Sequence, residues 1–110
     1  MFKTTTKSYK MTESNNGMIG LIEFGIYTKR VKMQFCKNPV TKEESFIITS
    51  ENKETRKHYI EATVLMTQKE LQDRINGTVQ GSFKVGFHKS TNYLEFTSIN
   101  NLMNYFFNRV

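Results

Sequence analysis

Thr67-Gln68-Lys69-Glu70-Leu71-Gln72-Asp73-Arg74-Ile75-Asn76-Gly77 is the clearest helix signal in the chain, and the fold is read outward from it. Thr67 stands as an N-cap, Glu70 three residues later completes a capping box, and Asn76-Gly77 ends the helix. On both sides the apolar period falls to two. Before the helix, over about residues 57–66, Ile60, Ala62, Val64 and Met66 alternate with Tyr59, Glu61 and Thr63. After it, Val79, Gly81, Phe83, Val85 and Phe87 alternate without a break. A short helix between two strands is the reference point for everything else.

Upstream, a strand pattern starts at Met18 with Ile22, Phe24 and Ile26 on one face and resumes with Val31, Met33 and Phe35. The apolar parity switches between Ile26 and Val31. A tight hairpin there would want Gly, Asn or Asp, and the intervening Tyr27, Thr28, Lys29 and Arg30 supply none, so we expect a bulge in one long curved strand. Gly20 and Gly25 would ease its curvature. Polar residues 37–44, with the only proline, separate this strand from a short second one at Phe46-Ile47-Ile48-Thr49, and residues 50–56 form a charged turn before the third. Downstream of the fourth strand, a polar turn at 88–91 leads to a fifth beginning at Tyr93-Leu94-Glu95-Phe96. From Asn100, Leu102, Met103, Phe106, Phe107 and Val110 recur at the spacing of a short amphipathic helix.

The expected fold is thus mostly β: a five-stranded barrel of the oligonucleotide/oligosaccharide-binding (OB) type, with its helix between strands 3 and 4 and a C-terminal helix appended. Residues 1–17, polar and without apolar periodicity, read as a flexible N-terminal arm, leaving 18–110 as a single domain. A chain of 110 residues has room for one core, and at 37% hydrophobic and 24% charged its composition is that of a globular protein. One cysteine allows no internal disulfide, and no apolar run is long enough to span a membrane, so a cytoplasmic protein is expected.

The inventory for catalysis is thin, and no enzyme, cofactor or metal site is expected. Cys36 stands on the parity opposite Val31, Met33 and Phe35 and far in sequence from His58 and His88, each of which adjoins a lysine at a strand end. There is no glycine-rich phosphate loop; Gly81 and Gly86 read as curvature of a barrel wall.

Basic residues interleaved with aromatics carry the functional signal. Tyr27, Lys29, Arg30 and Lys32 surround the expected bulge; Arg56, Lys57 and Tyr59 open the third strand; Lys84, His88, Lys89 and Tyr93 belong to the last hairpin. Single-stranded nucleic acid needs cations for its phosphates and flat rings for its unstacked bases, and a net charge of +6 favours such a partner. Phe83 and Phe87 share the apolar parity and read as core. Tyr27, Tyr59 and Tyr93 fall on the polar parity and are the stacking candidates, with Lys29, Arg30, Lys32, Lys84 and Lys89 facing phosphates. A tyrosine can equally shield a sheet face with its hydroxyl in water, and lysines guard strand edges against aggregation.

Gly81-Ser82-Phe83-Lys84-Val85-Gly86-Phe87, together with the strand and helix order, resembles small single-stranded DNA-binding proteins of bacteriophages, which are OB folds; the Ser-Phe-Lys-Val-Gly stretch is similar to one in filamentous-phage members. The resemblance implies a non-enzymatic protein of phage or plasmid DNA replication or recombination. Many members end in an acidic tail that recruits replication enzymes. Here the end is Asn104-Tyr105-Phe106-Phe107-Asn108-Arg109-Val110, basic and apolar, so the C-terminal helix would serve self-association instead. The alternative is a small phage or mobile-element protein that modulates a host protein, docking through a strand edge or through Leu102, Phe106 and Val110.

Overall fold

In the computed structural model, residues 8–13, 17–25 and 28–108 are described. Seven strands lie in chain order in one open antiparallel sheet: β1 (Ser8–Glu13), β2 (Ile19–Gly25), β3 (Lys29–Lys37), β4 (Glu44–Asn52), β5 (His58–Val64), β6 (Phe83–Phe87) and β7 (Tyr93–Phe96). Helix α1 (Gln68–Ile75) joins β5 to β6, and α2 (Ile99–Asn108) follows β7.

The expected five-stranded barrel is therefore not the fold. β1 and β7 stand at opposite edges and the sheet does not close. Two readings account for the miscount. The parity switch between Ile26 and Val31 is a hairpin, with Phe24 opposite Val31 and Ile22 opposite Met33. Directly opposed residues share a face, so an even-numbered inward set on β2 becomes an odd-numbered one on β3 without any bulge. The second miss lies in residues 1–17, where Ser8–Glu13 forms an edge strand pairing Tyr9 with Phe24 and Met11 with Ile22. The fourth strand is also shorter than its pattern, because Val79 and Gly81 lie in the connection before Phe83.

A real bulge occurs elsewhere. Ile48 pairs with Ala62 and Thr49 with Ile60, so Glu61 is the extra residue on β5. Beyond it the parity slips: Ala62 and Val64 stay in the core, while Ile60 turns to the other face and is 55% exposed.

Apolar side chains from one face of the sheet meet both helices. Ile22, Val31, Met33, Phe46, Ile48, Val64 and Val85 pack with Leu71 of α1 and with Leu102, Met103 and Phe106 of α2. This is the layer arrangement of a one-sided α+β domain, in which helices rather than sheet closure bury the apolar face. Thr67 caps α1 as its sequence predicts, accepting a bond from the Glu70 N–H at 3.1 Å. The Glu44 carboxylate accepts from the Gln68 N–H at 2.8 Å, satisfying a second early donor of the helix. Two glutamine amides then fix α1 to the start of β2: Gln68 Nε2 donates to the Ile19 carbonyl, and Gln72 Oε1 accepts from the Ile19 N–H. On α2, the Ser98 hydroxyl accepts from the Asn101 N–H, and Tyr105 and Phe106 complete an aromatic cluster with Phe87 and Phe96.

The β3–β4 and β4–β5 turns repeat one design. Asn38 and Asn52 each accept, on the side-chain oxygen, from the second and third backbone N–H groups after them. The turn then closes through a left-handed residue, Lys42 at φ 65° and Arg56 at φ 61°. The common spacing is Asn-x-x-Thr followed by a basic residue. An asparagine starting a turn supplies the side-chain acceptor that a glycine-free hairpin needs.

Candidate nucleic-acid interface

Both helices cover the same face, and among the described residues no element covers the opposite, bare one. Strand alternation places Glu23 of β2, Arg30, Lys32 and Gln34 of β3, Ile47, Thr49 and Glu51 of β4, Ile60 and Thr63 of β5, Lys84 and Gly86 of β6, and Tyr93 and Glu95 of β7 on it. Leu65, just past β5, is 68% exposed. Such a face has room for a chain to lie across the strands.

The residues singled out from the sequence divide into groups. Tyr27 lies outside the described residues. Lys29 is on the helix-covered side: its ammonium donates to the Phe106 carbonyl in the last turn of α2, where a cation also meets the negative end of the helix dipole. Arg30 is on the bare face but lies between two carboxylates, 3.8 Å from Glu23 and 3.4 Å from Glu51, and Glu51 also approaches His58 at 3.7 Å. Its charge is largely answered within the protein. Lys32 occupies the same face one pair further along, opposite Thr49.

Arg56 and Lys57 sit at the β4–β5 turn and Lys89, at φ 66°, at the β6–β7 turn. Antiparallel order brings both turns to one end of the sheet, together with the β2–β3 connection, and the Lys53 N–H donates to the Thr28 carbonyl across that end. Tyr59 was expected beside the polar residues, but the Glu61 bulge pairs it with Ser50, a core-face residue. It therefore borders a cleft of about 600 Å³ with Lys29, Ser50 and Glu61, where the Ser50 hydroxyl donates to the Glu61 carboxylate at 2.5 Å. Tyr59 and Tyr93 do not share a surface.

Lys84 and Tyr93 do meet. The Lys84 ammonium lies 4.7 Å from the Tyr93 ring centre and 3.3 Å from its hydroxyl. They border a groove of about 700 Å³ over β5, β6 and β7. No family model, curated protein or solved structure matches the chain.

Leu102 and Phe106 are fully buried beneath the sheet, so they present no surface to a second copy or a host protein; Val110 lies outside the described residues. Cys36 is exposed on the bare face. Among the described residues, no three His, Cys, Asp or Glu side chains converge as metal ligands would, and no helix is long and apolar enough to cross a membrane. What the sequence reading missed is the groove itself. Gly86 is its one signal in the sequence, and the barrel curvature expected there does not occur in an open sheet.

The Lys29 contact gives a direct expectation. Lys29→Met keeps the stem and removes the ammonium, so urea denaturation should show a loss of about 1 kcal/mol, the size of a helix C-terminal cation effect with its hydrogen bond.

Proposed function

We propose that this chain binds single-stranded nucleic acid, DNA in the replication or recombination of a phage or plasmid, across the uncovered face of its sheet. The observation that carries the reading is a bare sheet face on which an exposed tyrosine and a lysine flank an open groove, in a chain of net charge +6. Lys32 and Lys84 meet phosphates on the face, and Arg56, Lys57 and Lys89 extend the positive potential at one end. Tyr93 stacks a base. Binding of this kind needs neither cofactor nor catalytic group, and it fits a cytoplasmic protein.

Fluorescence anisotropy of labelled single strands of increasing length, with duplex competitors and a salt series, tests the proposal. We expect affinity that grows with length, falls steeply with salt and is poorly competed by duplex. Absence of binding at low salt would refute it. A second reading has its own observation: Ile60 and Leu65 are exposed apolar side chains on the same face. In that reading the face docks on a host protein, and Ile60→Ser, which lies outside the groove beside Tyr93, would weaken capture of that protein without affecting oligonucleotides.

A further inference from the structure

We propose that Gly86 is the floor of a seat for one nucleobase, with Tyr93 as its stacking wall and Lys84 holding the adjoining phosphate; this rests on the reading that the bare face binds single strands. Glycine weakens a strand through backbone entropy and lost packing, so its presence in β6, paired with a strand on either side, needs a reason. The two usual reasons fail here. Positive φ among the glycines is confined to Gly17, Gly77 and Gly81, so the backbone at Gly86 accepts any residue. A Cβ built there would approach nothing closer than the Thr63 carbonyl at 4.0 Å, so the neighbours would admit a side chain as well. What glycine provides is space, in a groove bordered by Thr63, Leu65, Lys84 and Tyr93.

The shape of that space selects its occupant. Gly86 pairs directly with Tyr93 on one side and Thr63 on the other, so the backbones that carry those two side chains lie two strand spacings apart, about 9.6 Å, with no side chain between them. Tyr93 is 54% exposed and Leu65 68%, so apolar surface waits on the walls. Glu70 and Glu95 also line the groove; Glu70 is paired with Arg74 at 2.9 Å, whereas Glu95, which accepts from the Ser82 hydroxyl at 3.1 Å, disfavours a phosphate on the floor and offers a carboxylate acceptor to the N–H groups of a base. The phosphate is left to the rim, where Lys84 already sits against the tyrosine. A base below and a phosphate above is the division of charge that a single strand presents.

The test compares a labelled single-stranded oligodeoxynucleotide with an abasic oligomer of the same length, using the full chain. The wild type should bind the base-bearing strand about tenfold more tightly, the scale of one aromatic stack. Gly86→Val fills the floor and should bind both strands alike, with an unchanged or raised melting temperature because a β-branched residue suits the strand. Tyr93→Leu removes the wall and should lose the discrimination too, which decides the matter if Gly86→Val folds poorly. A wild type that binds neither strand refutes the nucleic-acid reading itself. A wild type that binds both alike, or variants that discriminate as it does, overturn the seat alone and leave Tyr93 as a cover over the glycine.

Discussion

Phe106→Ala is expected to destabilise the domain by about 3–5 kcal/mol, the cost of deleting a fully buried aromatic side chain and leaving a cavity. The ring is inaccessible to solvent and lies within 6 Å of two aromatic neighbours, at 5.8 Å from Phe87 and 5.3 Å from Tyr105. The loss is comparable with the whole stability of many small domains, so urea denaturation should show a greatly reduced midpoint or no cooperative transition. Deleting residues 100–110 should go further and abolish folding, because Leu102 and Met103 leave the core with Phe106. A folded, monomeric product of that deletion would return α2 to the role of a docking helix. The expectation is strong because α2 supplies three of the fully buried side chains on the covered face, and its Tyr105 and Phe106 join Phe87 and Phe96 in one aromatic cluster.

That helix shows where the sequence stops being informative. The spacing of Leu102, Met103 and Phe106 revealed an amphipathic helix, but an apolar stripe looks the same whether it meets its own sheet or a partner. Local signals did better: Thr67 and Glu70 placed α1, the alternation ending at Phe87 placed β6, and the run beginning at Tyr93 placed β7. β1 escaped because an edge strand buries little and needs few apolar residues, here Tyr9 and Met11 in the register of the inward set. The hairpin between β2 and β3 was hidden by a connection without the glycine or asparagine that marks tight turns. The Glu61 bulge leaves no trace in a sequence that alternates without interruption, yet it moves Tyr59 from the bare face to the covered one. The residues singled out from the sequence are therefore divided among the bare face, the covered face and the turns at one end of the sheet.

The same geometry divides a cluster of neighbouring cations by function, and this yields a sharp expectation for binding. Lys29, Arg30 and Lys32 are consecutive or nearly so, but Lys29 is bonded to α2 and Arg30 is paired with Glu23 and Glu51, leaving Lys32 to act with Lys84. Lys32→Ala combined with Lys84→Ala should lower affinity for single strands on the order of tenfold or more at low salt and reduce the slope of log K against log salt by about 1.4, two phosphate contacts at about 0.7 each. Arg30→Ala should leave the slope nearly unchanged, since removing the guanidinium also frees two carboxylates whose repulsion lowers affinity without releasing counterions from a contact. Salt titrations of the variants, read by anisotropy, separate the two effects. If Arg30→Ala flattens the slope while the double variant does not, the strand runs along the β2–β3 end of the sheet rather than across β6 and β7, and the groove beside Tyr93 is not its path.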